Sequence, residues 1–580
     1  MPRAAILAIA TATFLLATGA LAADWRNIAR GSRIPDEGYC DQPYVVVTNA
    51  GDWLCTLTTG RGHEGQGGQH VVSTISSDHG KTWSELVDIE PADGPAASWV
   101  VPLVAPGGRV YVFYTYNGDR IHLGRDDTHG WYAMKYSDDG GRTWSPDRYR
   151  LPLRVTACDQ LVQDGRVVQM FWGIDKPKTA DGRVYFAFTK LGRYFLADGE
   201  GWLFCSQNIL TEPAIDKIHW ELRPAGEHGI RKADFGSVQE EHNMVPLGGE
   251  RLFCVYRTTM GYPCQTYSDD GGWTWSTPEP MTYSPGGRIV KQPRACAKLW
   301  RCANGKFLFW YHLHGGRSFN DRNPAWIIGG VLKKGRIHWS QAEVLLYDEN
   351  PTTRMSYPDL IEQDDRYWVT ETQKTVARIH EIDRTLLEGL WSQLDENVPT
   401  AAVTEGRIAD FGETELTQEG LAVNRPLTVA DQRGFTVETW LTVDRFTPGQ
   451  VLLDTRNEEG QGWALSMGEN RTMRLTIGDG RNGGSWDLDP GSLEAGRRHH
   501  VAFVADGGPN VITAVVDGVL CDGGTTRQFG WGRFDSNTCN LSGTGIIKTD
   551  LTGVKMHRLR IYDRYLRTAE IVTLAGQGLP

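Results

Sequence analysis

Beyond residue 38 the chain alternates short apolar runs with polar breaks. CDQPYVVVTNAGDWLCTL, SWVVPLVAPGGRVYVFYTY, TACDQLVQDGRVVQMFWG, EEHNMVPLGGERLFCVYR, KQPRACAKLWRCANGKFLFWYH and MSYPDLIEQDDRYWVTET each read as an apolar strand, a turn and a second apolar strand. Between these hairpins a box recurs: SSDHGKTWS at 76–84, YSDDGGRTWS at 136–145 and YSDDGGWTWS at 267–276. In such a box Asp and Ser side chains bond nearby amides in a tight turn, and Gly takes the positive-φ position. Thr is expected to open the next strand, and Trp offers a large packing face. Asp78, Asp139 and Asp270 are therefore read as structural. Trp144 follows Trp83 by 61 residues and precedes Trp275 by 131, about twice as far. A degenerate unit belongs between the last two, and DKIHW ending at Trp220 fits; GRIHW ending at Trp339 continues the series.

Five marks about 60 residues apart, with one closing unit, imply six units. Short, evenly spaced strands in aromatic-marked repeats are the signature of a β-propeller. Its inner strands would line a channel, and their leading polar residues would converge at one mouth. The pattern stops near residue 385. A polar, Pro-containing stretch over 395–406 reads as a linker. GFTVETWLTV, QVLLDTR, GWALSMG, MRLTIGDG, HHVAFVAD and NVITAVVDGVL then alternate apolar and polar positions again. The expected fold class is all-β: a six-bladed β-propeller over 23–394, then a β-sandwich (jelly roll) over 407–580.

Composition sharpens this only at the edges. The 580-residue chain carries a net charge of −11, which disfavours nucleic acid as a partner. The N-terminus has a basic Arg3, an apolar run from Ala4 and an Ala20-Leu21-Ala22 cleavage site. This reads as a secretory signal peptide over 1–22, so the protein is expected to be secreted or periplasmic, and no later run is suited to span a bilayer. Ten cysteines fit an oxidising compartment. Cys40 with Cys55, Cys254 with Cys264, Cys296 with Cys302 and Cys521 with Cys539 are candidate pairs. No C-x-x-C pair occurs, and neither a metal nor another cofactor is expected.

The three S-x-D-x-G-x-T-W boxes resemble the Asp boxes of the sialidase (neuraminidase) superfamily. The second region, through ETW, HHVAFV and VVDG, resembles the concanavalin-like jelly roll of laminin-G-type modules, which bind glycans or pack against a catalytic partner. The first resemblance implies a secreted exo-glycosidase acting on a terminal, acidic sugar of a glycan. Sialidases use a tyrosine nucleophile with a glutamate base, a loop acid and an arginine clamp. MSYPDL matches the nucleophile motif at Tyr357. Glu241 is favoured as base, with Glu240 its competitor, and Arg257 lies a hairpin further on. RNPAWIIGG matches another clamp arginine at Arg322. The acid belongs in GRGHEGQGGQH, where Glu64 matches best, with His63 and His70 as alternatives. A carboxylate beside the phenol makes it usable as a nucleophile, and guanidinium suits a carboxylate ligand.

One departure matters. The family's first arginine stands in R-I-P before the first inner strand, yet Arg33-Ile34-Pro35 precedes the strand by too much, and the strand register puts Asp41 there. Glu371, in WVTET, matches the acid that normally supports that arginine. Two buried acids need a cation. Either Arg294, Arg354 or Arg33 enters, or an acid pair of ordinary glycosidase type comes from among Asp41, Asp159 and Glu241. His312 and His314, on one strand face, fit sugar contacts or a metal. The resemblance leaves two other readings: a non-catalytic carbohydrate-binding propeller, and a lyase or non-sialic exo-glycosidase using Asp41, His70 and Glu241.

Overall fold

A computed structural model describes residues 24–395, 403–418, 420–423 and 425–579. The expected leader and most of the linker lie outside these residues. No helix among the described residues is long and apolar enough to cross a membrane.

Six antiparallel sheets of four or five strands follow one another between residues 32 and 382. The apolar hairpins supply the leading pair of every sheet but the third, as in Tyr39–Val47 with Trp53–Gly60 and Gln239–Gly248 with Arg251–Thr258. Because both faces of a sheet are covered by neighbours, these strands are apolar on both sides rather than alternating. The seams run in a cycle. Val71 and Ile89 meet Val100 and Val112; Phe113 and Met134 meet Phe171 and Phe186. Tyr185 and Leu203 meet Met244 and Leu252, and Val245 and Phe253 meet Leu299 and Phe309. Trp310 meets Val369, and finally Trp53 and Val45 meet Trp368 and Ile379, which joins the sixth sheet to the first. Ser32–Ile34, from the N-terminus, pairs with Ala377–Ile382 as the outer strand of the sixth sheet. This cyclic order of six sheets is the one the six repeats call for.

The boxes are turns at the end of each third strand. Thr82 donates its amide (2.9 Å) and hydroxyl (2.6 Å) to Asp78, and Ser76 donates to the same carboxylate at 2.8 Å. Asp139 and Asp270 repeat this with Thr143 and Thr274. The threonine thus closes the turn and does not open a strand. Trp144 reaches across a seam, its indole donating to Ser73 of the first sheet at 3.0 Å. The degenerate box of the third sheet keeps the device with Asn208, which accepts from the His219 amide at 2.9 Å.

Two expectations are corrected here. LVQDGRVV, read as part of the third inner hairpin, is a separate ribbon of Leu161–Gln163 with Arg166–Val168, and the inner strand is Met170–Trp172. An Asp-Gly turn between apolar runs reads the same in a ribbon and a blade; Val162 and Val167 on the ribbon are exposed. The candidate disulfides are not formed: all ten cysteines are free and nine are buried. Cys40 faces Thr59 and Cys55 faces Val45, so the two sit well apart along one ladder. Cys254 pairs in register with Thr266, whereas Cys264 pairs with Tyr256. Cys521 is buried while Cys539 is exposed beside Asp479.

The second region forms two sheets of seven and six strands around Phe435, Trp463, Leu475 and Phe503. The outer face of its larger sheet, with Ala502, Val504, Val515 and Tyr562, packs on the propeller-like unit in one continuous core with Trp326 and Tyr347. Arg26, buried beside Tyr347, bonds Asp506 at 2.7 Å, and the Trp531 indole donates to the Leu313 carbonyl at 3.0 Å. Helix α1 (Arg384–Ser392) and helix α2 (Thr568–Gln577) meet across this junction.

Candidate active site

The leading residues of the sheets converge on one cavity of about 270 Å³. β-Bulges at the starts of the first, second and fourth inner strands re-aim these residues. Gln42 (φ 49°), Trp99 (φ 64°) and Glu241 (φ 57°) lie in these bulges, and Tyr357 (φ 46°) heads the sixth sheet in the same left-handed region. Each such non-glycine backbone costs ~1–3 kcal/mol and persists only where the surroundings over-determine it.

Tyr357 donates its hydroxyl to Glu241 at 2.8 Å. Arg257 holds the same Glu241 oxygen at 2.6 Å and Glu240 at 2.7 Å. The second Glu241 oxygen is buried and has no hydrogen-bond partner. Burial, then the Glu241 carboxylate, pushes the Tyr357 phenol well above its ordinary value, with Arg257 opposing. The phenol is therefore protonated at rest, and its proton has one acceptor in place.

Arg322 is buried, donates Nε to the Phe319 carbonyl at 2.8 Å and Nη1 to Ser356 at 2.5 Å. Arg294 and Arg354 both pack over the Phe319 ring in the same wall. Among the described residues none of these three guanidinium groups has a carboxylate partner within ion-pair distance, unlike Arg257. Burial pulls Arg322 and Arg294 below the ordinary guanidinium range, and Arg257 adds to it. Arg322, held out of water without a counter-ion, can take an anionic ligand, with half-buried Arg294 and exposed Arg354 beside it. Trp99, Trp172, Phe195 and Phe319 form the apolar part of the wall.

The cation that two buried acids require is Lys374, which the sequence reading missed. Its ammonium lies 2.5 Å from Asp41 and 3.3 Å from Glu64, over the Tyr357 ring. Arg125 also reaches Glu64 at 3.2 Å. Burial raises Asp41 to about 6, although Lys374 pulls it down. Burial would raise Glu64 too, but Lys374 and Arg125 outweigh it and bring the carboxyl to about 2. Glu64 lines the cavity as the loop reading expected, yet as a carboxylate; Asp41 stands behind Lys374, fully buried and bonded by Tyr39 at 3.0 Å. The one available signal was the need for a cation beside Asp41, met by Lys374 in the loop QKT, whereas Glu371 has Arg378 at 3.8 Å.

The other expected residues lie outside the cavity. Asp159 is sealed in an ion pair with Lys190 at 2.7 Å beside the ribbon, because the third inner strand starts later than expected. His70 bonds the Glu90 carbonyl and the Glu37 carboxylate, each at 2.9 Å. Glu371 is buried behind the wall and accepts from Gln373, which lines it. Glu240 stands behind Arg257. Arg33 is exposed and paired with Asp36, so the R-I-P segment serves the outer strand. His314 stacks on Phe529 of the sandwich and His312 is fully buried beneath, so neither reaches the cavity.

Residues 92–369 match the model of the BNR repeat-like domain, and residues 417–572 that of the concanavalin A-like lectin/glucanases superfamily. No curated protein matches the sequence. Among solved structures, Trypanosoma rangeli sialidase in complex with sialic acid is 14% identical over 95% of this chain and 96% of its own, with a TM-score of 0.41. A Hadza microbial sialidase is 17% identical over 59% and 66%, with a TM-score of 0.44. A protein of unknown function from Dyadobacter fermentans is 16% identical over 61% and 98%, with a TM-score of 0.45. The chain carries a BNR repeat-like domain followed by a concanavalin A-like domain, the pair that its Asp boxes and its second alternating region announce.

Proposed function

We propose that this protein is a sialidase-like exo-glycosidase that removes a terminal acidic sugar from a glycan. The observation that carries the reading is the Tyr357–Glu241 contact at 2.8 Å beside arginines that lack a carboxylate partner. The sugar's anionic group lies against Arg322, Arg294 and Arg354. Tyr357 Oη attacks the anomeric carbon as its proton passes to Glu241. The glycosidic carbon–oxygen bond breaks, and the leaving oxygen takes a proton from the Asp41–Lys374–Glu64 cluster. Water then attacks the anomeric carbon and gives a proton back to the Asp41–Lys374–Glu64 cluster, as the sugar–Tyr357 bond breaks and Glu241 returns its proton to the phenol oxygen. A neutral nucleophile avoids repulsion from an anionic sugar, and the adjacent carboxylate activates it. Asp41 takes the place of the family's first arginine in the strand register and pairs with Lys374, so the acidic group is held by Arg322, Arg294 and Arg354 alone.

The test is mass spectrometry of what the wild-type protein releases from a mixed glycan pool, against Tyr357→Phe. An acidic sugar released only by the wild type supports the reading. Undiminished release by Tyr357→Phe ends it, and binding without release by a folded wild type points to a carbohydrate-binding protein.

A further inference from the structure

At the same end of the sheets, where the second meets the third, lies a second cleft of about 350 Å³. Its parts differ from a mere seam. Arg150 is exposed and lies over the Trp131 indole at 4.0 Å. Arg154 packs over Trp202 at 4.8 Å and donates Nη2 to the Pro224 carbonyl at 2.8 Å. Its Nη1 is buried without a hydrogen-bond partner. Neither arginine has a carboxylate partner among the described residues. The nearby acids are spoken for: Asp119 accepts from the Trp131 indole at 3.0 Å, and Asp159 is paired with Lys190. Gln169, whose amide nitrogen donates to the Arg154 carbonyl at 3.0 Å, lines the cleft, and exposed Pro152 adds a flat apolar edge.

We infer that this cleft is a second saccharide subsite, selective for an acidic sugar unit. It rests on the reading of the protein as a glycan-processing enzyme. An indole edge and a proline offer the apolar face that a sugar ring needs, and two uncompensated guanidinium groups select for a carboxylate or sulfate. The short turn Asp126–Thr128 separates it from the main cavity, where Arg125 of the same loop holds Glu64. A glycan with its terminal unit in the cavity thus has a charged subsite beside it on the same rim.

Calorimetry on the full chain tests this with three probes: a hyaluronan hexasaccharide, an oligosialic acid hexamer and uncharged chitohexaose. The acidic probes should bind, and Arg150→Gln, an exposed change that leaves the fold intact, should weaken them at least tenfold, with Arg154→Gln adding to the loss. Turnover of a short aryl glycoside should be unchanged in both. Arg322→Ala, which disables the main cavity, should leave the cleft's binding in place, so failure of the catalytic reading is seen separately. Chitohexaose binding as tightly as the acidic probes, no binding by either acidic probe, or an isotherm indifferent to Arg150→Gln would each overturn the inference.

Discussion

Replacing Lys374 by methionine keeps the length of the side chain and deletes its charge. The ammonium is 2.5 Å from Asp41 and 3.3 Å from Glu64, with under a quarter of the side chain exposed. An opposite charge this close lowers a carboxyl by ~1–3 pK units. Its removal should therefore lift Asp41 from about 6 by that amount, which is ~1.4–4 kcal/mol of differential interaction. Glu64 rises as well, though Arg125 still holds it. In the proposed reaction the leaving oxygen is protonated by this cluster, so kcat/KM should fall with rising pH as Asp41 ionises near 6. In Lys374→Met that alkaline limb should move up by ~1–3 pH units. The assay is a pair of pH profiles, one on an alkyl glycoside and one on a nitrophenyl glycoside of the released sugar. The alkyl leaving group needs the proton, so in Lys374→Met its rate should persist to higher pH; the nitrophenolate departs unaided and should show little of this shift. A limb that stays in place, with equal losses on both substrates, would refute a proton shared among these three side chains.

Further outcomes follow from the same contacts. Arg322→Ala should raise KM for the acidic substrate by ten- to a hundredfold, since a charged hydrogen bond contributes ~1.5–3 kcal/mol; an unchanged KM would remove Arg322 from the clamp. Glu343, fully buried and accepting from the Ala569 amide at the start of α2, is raised by burial to about 7. Its protonated form favours folding, so stability should be lost as pH rises from about 4.5 to 7, by ~3 kcal/mol at most. Glu343→Gln should flatten that slope in urea titrations, and an unaltered slope would show that another group titrates. Asp270→Ala removes acceptors from Thr274 and Ser268, which should cost ~1–3 kcal/mol of stability while kcat stays as it was; a lost kcat would give the box a role beyond the turn.

The repeat carried most of the architecture, because a turn motif at fixed spacing survives where strand identity blurs. Tyr357, Glu241 and Arg257 were legible for a related reason: each sits at the cavity end of a leading hairpin, where register fixes direction, and Arg322 leads the third strand of the fifth sheet. Asp159 was misplaced because the ribbon at 161–168 mimics a blade hairpin, and nothing in its alternation marks it as exposed. Lys374 was missed because loop residues have no period. Only an unbalanced pair of acids asked for it. The cysteine pairs failed on geometry that spacing along the chain does not encode, namely which rungs of a ladder face each other.

The strand Ser32–Ile34 has a consequence for how the molecule is made. Its partner, Ala377–Ile382, comes from the other end of the ring. A strand synthesised before any of the six sheets is thus among the last to find its place. Closing so long a loop is slow, though its entropy grows only logarithmically with length. Until then Ala377–Ile382 presents an open edge, with amides and carbonyls free to recruit a strand from another copy. Arg26, just upstream, locks onto Asp506 of the sandwich, so the same few residues finish the ring and fasten the second domain. Shortening the chain past residue 34 would leave a ring without its latch, prone to exchange strands between copies.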